Sequence, residues 1–153
     1  MKLPRYAAHT KVAPEQTRMD IEKLLSRAGA TEFAFARSQE QGFDKMLFRL
    51  QGRMIKIEVK HPTAKELGRV HDRVKGLEQI YKQRWRAQLL IVKAKLEIIA
   101  MGLSSVDREF LADMYLPDGR TLGEAMIPQL NEAYETGRFK PSMSPFLLGP
   151  GGE

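Results

Sequence analysis

Residues 43 to 60, FDKMLFRLQGRMIKIEVK, decide the fold, because their apolar side chains follow the two-residue period of a β-strand. Two runs, Met46 to Leu50 and Ile55 to Val59, place an apolar side chain at every second position. Gly52 lies between the runs and can supply the positive φ that a tight hairpin turn requires. A shorter alternation over Phe33 to Phe35 precedes them. The sequence therefore predicts three antiparallel strands arranged as a meander.

Helical patterns flank the strands on both sides. Pro14 suits the first position of a helix and Gly29 suits the end of one, so a first helix is predicted over Pro14 to Ala28. Its buried stripe is predicted to consist of Met19, Ile21, Leu24 and Leu25.

Three further helix starts follow the strands. Thr63 with Glu66 and Thr121 with Glu124 have the spacing of a capping box, and Ser104 precedes a third start. Apolar residues at three- and four-residue spacing predict a long helix over Leu77 to Met101. Because that stripe extends almost around the helix, it is predicted to be the most buried one: Leu77, Tyr81, Trp85, Leu89, Leu90, Ile91, Val92, Leu96, Ile98 and Ile99.

Strands grouped together and helices grouped after them predict an α+β fold. We expect an N-terminal helix, a three-stranded antiparallel meander, then a long central helix and two shorter helices packed on one sheet face. The 153 residues suit one domain, predicted over residues 14–139. Residues 1–13 are expected to form a flexible N-terminal arm and residues 140–153 a Pro/Gly-rich C-terminal arm with Phe146, Leu147 and Leu148 as its apolar anchor.

Composition limits the classes of function. The chain has no cysteine, which excludes disulfides, thiolate metal sites and a cysteine nucleophile. The sequence shows no signal peptide and no apolar run long enough for a membrane span, so a cytoplasmic location is expected. His9, His61 and His71 lack the spacing of metal ligands and are predicted as surface or capping residues. No catalytic residue, metal or cofactor is predicted.

Charge is distributed unevenly along a chain whose formal net charge is +6. Residues 53–95 contain twelve Lys or Arg against four acids, whereas residues 104–137 contain seven acids against two Arg. A concentrated positive region attracts polyanions. Nucleic-acid binding is therefore predicted through the Lys and Arg side chains, with Trp85 in the core: Arg49, Lys56, Lys60, Lys65, Arg69, Arg73, Lys82, Arg84 and Arg86.

One pattern favours an enzyme. Asp44 followed by Glu58-Val59-Lys60, with Glu22 on the preceding helix, resembles the core of PD-(D/E)XK nucleases, whose acids hold Mg²⁺. Strand parity opposes this interpretation, because Asp44 shares the face of Met46, while Glu58 and Lys60 occupy the other face. The alternative is that Glu58 and Lys60 lie on a solvated sheet face beside Lys45 and Lys56.

Several short motifs together resemble a family of small proteins encoded by bacteriophages and prophages, over residues 11–141. They are RAGATEF at 27–33, RWR at 84–86, KAKLE at 93–97, EFL at 109–111 and LPDGRTLGE at 116–124. The resemblance implies a phage or prophage origin and a location in the cytoplasm of the host cell. It implies no activity.

Three functions follow as alternatives. The first is a non-enzymatic accessory protein that binds nucleic acid. The second is an inhibitor or adaptor that binds a host enzyme, a defence complex or another phage protein through its acidic helices and its C-terminal arm. The third is a degenerate nuclease of the PD-(D/E)XK type.

Overall fold

The computed structural model describes residues 5–69 and 71–140 and has the predicted α+β fold. The helices and strands, in chain order, are α1 (Pro14–Arg27), β1 (Thr31–Ser38), β2 (Phe43–Leu50), β3 (Arg53–Lys60), α2 (Arg73–Ala100), α3 (Val106–Glu109) and α4 (Leu122–Thr136). Two 3₁₀ turns, Ala64–Glu66 and Leu111–Asp113, lie before α2 and after α3.

The three strands form one antiparallel sheet in the order β1-β2-β3, which confirms the predicted meander. The hairpin between β2 and β3 turns at Gln51 and Gly52, which both have positive φ. In this register Phe48 pairs with Ile55 and Asp44 pairs with Val59. Directly paired residues, and residues four positions apart on one strand, point to the same side, so these four buried side chains share one face of the sheet.

The core lies on that face, under α1 and α2. Ile21 and Leu25 of α1 and Trp85 of α2 are fully buried and pack in one cluster with the apolar residues of β2 and β3. The cluster confirms the prediction that Trp85 belongs to the core. Met19, in contrast, was expected in the buried stripe of α1 and is 45% exposed.

Helix α2 differs most from its prediction. It begins at Arg73 and passes through Gly76, and of its described residues only Trp85 and Val92 are buried. The expectation of a helix buried almost all round is wrong: Leu90, Ile91 and Ile98 are exposed. Leu90 and Ile91 lie between the buried residues Trp85 and Val92 along the helix, but at about 100° per residue they are on its other side. They are therefore exposed because that face of α2 is turned away from the sheet.

Both predicted capping boxes are present, with different outcomes. Thr121 and Glu124 start α4, which ends at Gly137 with positive φ. Thr63 and Glu66 start only a 3₁₀ turn. Ser105, one residue after the predicted position, caps α3. None of the described residues of α4 is buried, and the helix lies against the 3₁₀ turn Leu111–Asp113.

The described part of the N-terminal arm lies against α2. Gln79 donates hydrogen bonds to the carbonyl oxygens of Ala8 and Thr10, and Gln83 donates one to that of Tyr6. Residues 141–153, with the predicted apolar anchor, lie outside the described residues. Within residues 5–69 and 71–140, no helix combines the length and the apolar character needed to cross a membrane.

Candidate nucleic-acid interface and the adjoining clefts

Five of the nine cations predicted to bind nucleic acid make no ion pair within the described part of the chain. Four of the five are exposed and Lys82 is half-buried. We call these five the basic rim: Lys60, Lys65, Arg69, Arg73 and Lys82.

A cleft of about 240 Å³ lies at the end of the sheet, near part of the basic rim. Lys60 directly precedes His61, which lines the cleft. Arg73 and Lys82 each lie four residues, about one helical turn, from a lining residue of α2, Leu77 or Glu78. None of the five rim side chains is itself a lining residue, and Lys65 and Arg69 belong to the chain segment between the lining residues Pro62 and Leu77.

Arg84 ties the rim segment to α2. Its guanidinium group donates a hydrogen bond of 2.9 Å to the carbonyl oxygen of Lys60 and pairs with the carboxylate of Glu66. These contacts hold the end of β3 and the 3₁₀ turn that contains Lys65 against the helix. Arg84 was predicted to contact nucleic acid, and the structure gives it a role in positioning the rim.

Three other predicted cations have partners within the protein. Arg49 pairs with Glu32 at 2.6 Å and Arg86 with Asp20 at 3.5 Å. Lys56 is 5% exposed, which corrects its predicted position on a solvated face. Burial lowers the pKa of Lys56, but hydrogen bonds and charge from Glu58 and Glu124 outweigh it and the pKa is raised. Lys56 is thus a buried cation whose charge is compensated by Glu58 and Glu124.

A buried carboxylate lies behind the cleft. The Asp44 side chain is fully buried and binds three other side chains: Arg37 Nε at 3.0 Å, His61 Nε2 at 2.9 Å and the Tyr81 hydroxyl. Burial raises the pKa of Asp44, but the hydrogen bonds from Tyr81, His61 and Arg37 outweigh it, so its pKa lies below the usual value. We call these four residues the Asp44 network.

The Asp44 network also determines the protonation of Tyr81 and the ring orientation of His61. Burial and the hydrogen bond to Asp44 raise the pKa of Tyr81, so the phenol keeps its proton and acts as a donor. His61 packs edge-on against the Tyr81 ring, with 5.5 Å between centroids. Because His61 Nε2–H donates a hydrogen bond to the Asp44 carboxylate, the ring of His61 is held in one orientation while it lines the cleft.

A second cleft, of about 180 Å³, lies on the other side of Arg37. It is lined by Pro14 and Arg18 of α1 together with Phe35 and Trp85. The guanidinium carbon of Arg18 lies 4.3 Å from the centroid of the Phe35 ring. Arg37 lines both clefts and separates them.

The residues of the nuclease pattern are not brought together. Asp44 faces the core opposite Val59, as strand parity predicted, while Glu58 is opposite Lys45 on the other face and binds Lys56. Among residues 5–69 and 71–140 no group of three potential ligands could hold a metal ion. These positions give the nuclease interpretation no support.

Sequence reasoning missed Arg37, His61 and Tyr81 as members of one site. His61 was predicted as a surface or capping residue, and Tyr81 only as part of an apolar stripe. One signal was available: Asp44 shares the parity of Met46 and Phe48, and a buried carboxylate requires hydrogen-bonding or charged partners. The identity of those partners depends on contacts between β1, β2 and α2 that are distant in sequence.

No protein-family model, no curated protein and no solved structure matches this chain. The geometry of the described residues therefore carries the functional argument.

Proposed function

We propose that the protein binds nucleic acid non-enzymatically through the basic rim. The observation that carries the proposal is that five predicted cations between residues 60 and 82 have no carboxylate partner among the described residues, whereas the other four predicted cations do. Unpaired Lys and Arg side chains are free to neutralise phosphates and to release their counterions.

The charge around the cleft favours the same function. Residues 60–84 contain seven Lys or Arg and three acids, a local excess of four positive charges. Two of the acids are already engaged: Glu66 pairs with Arg84, and Asp72 caps α2 by accepting from the Lys75 amide. A phosphate backbone along the rim would meet cations and few free carboxylates.

The cleft also places aromatic rings beside the cations. His61 and Tyr81 line it, and aromatic rings beside Lys and Arg are the combination that unstacked bases contact in single-strand binding proteins. Contacts of this type tolerate many sequences. We therefore propose binding to single strands with little sequence preference, in a phage or prophage protein acting in the cytoplasm of its host.

Fluorescence anisotropy with a labelled single strand of about ten nucleotides tests the proposal. The variant Lys60→Gln/Lys65→Gln/Arg69→Gln should weaken binding at least about tenfold at about 50 mM salt. The control Arg49→Gln/Arg53→Gln/Arg120→Gln removes the same charge from cations that pair with Glu32, Asp107 and Asp118. It should weaken binding about twofold or less. Equal losses in the two variants would refute the rim as the binding surface.

A second candidate function is protein binding through α4. Ile127, Leu130 and Tyr134 occur at three- and four-residue spacing on this helix and are 55%, 43% and 89% exposed. Large apolar side chains grouped on an exposed face are typical of a contact surface. The surrounding segment, residues 104–137, carries a net charge of −5, which favours a partner with a basic rim around an apolar groove.

Capture of a partner from a bacterial lysate tests this candidate, provided that a control variant with substitutions elsewhere on α4 is included. A specific partner should bind the wild-type protein and the control Asn131→Gln/Glu135→Gln, and should be lost with Ile127→Glu/Tyr134→Glu. A partner retained by the Ile127→Glu/Tyr134→Glu variant would remove α4 as the contact surface.

A further inference from the structure

The second cleft contains a hydrogen-bond donor that the protein leaves unused. The Nε of Arg18 is buried and reaches no hydrogen-bond partner among the described residues. The Nε1 of Trp85 is also buried, but its N–H lies against the Tyr81 hydroxyl, whose pKa it lowers as a hydrogen-bond donor. Buried donors without acceptors are unfavourable, and at the wall of a cleft they indicate an absent acceptor.

The charged side chains that line the second cleft favour the binding of an anion. Arg18 and Arg37 place two guanidinium groups 4.3 Å and 5.8 Å from the Phe35 ring centroid. Glu15 is a weak neutralising partner, since its carboxylate lies 3.8 Å from Arg37 and is 62% exposed. Asp44 is shared between Arg37, His61 and Tyr81. Among the described residues, two cations and one carboxylate, that of Glu15, therefore line this cleft.

The chemistry and size of this space fit a phosphate monoester. Such a group carries between one and a half and two negative charges and three acceptor oxygens near neutral pH, roughly what two guanidinium forks can bind. A phosphodiester within a strand carries one charge and continues in two directions. A cleft of about 180 Å³ holds the phosphoryl group, and the larger cleft beyond Arg37 offers room for the attached nucleoside.

We propose that the cleft between α1 and β1, with Arg18 and Arg37 as donors, binds the terminal phosphate of a nucleic-acid strand. The assignment to a strand end rests on the proposed function, because the basic rim would hold the remainder of the strand. The phosphate site itself rests only on the unused Arg18 donor and the charges of the second cleft.

Competition against a labelled strand separates the two proposals. The competitors are unlabelled single strands of about ten nucleotides with a phosphate at the 5′ end, at the 3′ end or at neither, together with a mononucleotide and inorganic phosphate. The wild-type protein should prefer one phosphorylated strand over the unphosphorylated strand by about tenfold. Arg18→Gln should abolish that preference, and circular dichroism should confirm that this variant is folded.

Two variants on the same helix sharpen the test. Glu15→Gln removes the competing carboxylate and should increase the preference for the phosphorylated strand. Lys23→Gln removes an exposed charge of α1 that pairs with no described carboxylate and should leave the preference unchanged. The triple rim variant should weaken all strands equally and keep the preference.

The outcomes are distinct. Equal competition by all three strands, or an unchanged preference in Arg18→Gln, would overturn the phosphate site while leaving the proposed function intact. Inorganic phosphate or a mononucleotide that competes as strongly as the phosphorylated strand would overturn the assignment to strand ends. Binding of inorganic phosphate that depends on Arg18, without binding of any strand, would refute the proposed function and support the site.

Discussion

The Asp44 network and the basic rim lie at the same end of the sheet and use ionisable side chains in opposite ways. Each charge of the network has partners within 3.8 Å, and its central carboxylate is fully buried. The rim cations are mostly exposed and make no ion pair among the described residues. Burial and pairing, rather than residue type, therefore distinguish the cations that hold this fold together from the unpaired cations of the rim.

The largest expected effect is on stability, from the network. Asp44→Ala removes a buried carboxylate that three donors share and should lower the free energy of unfolding by about 3–5 kcal/mol. Lys65→Ala in the rim should change it by about 0.5 kcal/mol or less. Urea unfolding followed by circular dichroism measures both values, and similar losses would remove the distinction between the two regions.

The network should also give stability a specific dependence on pH. The pKa of Asp44 in the folded protein lies below its usual value of about 4, so the carboxylate stabilises the fold above about pH 4. This contribution is lost as the pH falls through the lowered pKa. The stability difference between wild type and Asp44→Asn should therefore be largest near neutral pH and shrink below about pH 4. A difference that stays constant down to pH 2 would contradict the assigned charge.

A smaller effect is expected at Tyr81. Tyr81→Phe keeps the ring against His61 but removes the hydroxyl that donates to Asp44, which should cost about 1–3 kcal/mol of unfolding free energy. Tyr134→Phe makes the same chemical change on a side chain that is 89% exposed and should cost about 0.5 kcal/mol or less. Chemical denaturation of the two variants checks the difference, and equal costs would argue against the Tyr81 hydrogen bond.

The sequence predicted the parts of the fold that depend on local pattern. The alternation of apolar side chains over residues 43–60 predicted the β2–β3 hairpin and the face of the sheet on which Asp44 lies. The capping box at Thr121 predicted the start of α4. The burial of α2 was predicted incorrectly, because periodicity shows which side chains are apolar but not how much surface exists to cover them. Leu90 and Ile98 therefore lie in solvent.

The candidate site was predicted only in part. Charge density located the rim, since Lys and Arg are concentrated between residues 53 and 95. Which of these cations are paired depends on tertiary contacts, such as those of Lys56 with Glu124 and of Arg86 with Asp20. The clefts on either side of Arg37 depend on the packing of α1 and α2 against β1, and no short motif encodes that arrangement.

The salt dependence of single-strand binding tests the central claim most directly. If the five rim cations contact phosphates, the logarithm of the binding constant should fall with the logarithm of salt concentration, with a slope of about −0.7 per contact. The variant that changes all five to Gln should reduce the magnitude of the slope by about 3.5, and removal of the paired cations Arg49, Arg53 and Arg120 should leave it nearly unchanged. The same slope in wild type and the five-residue variant would contradict the account.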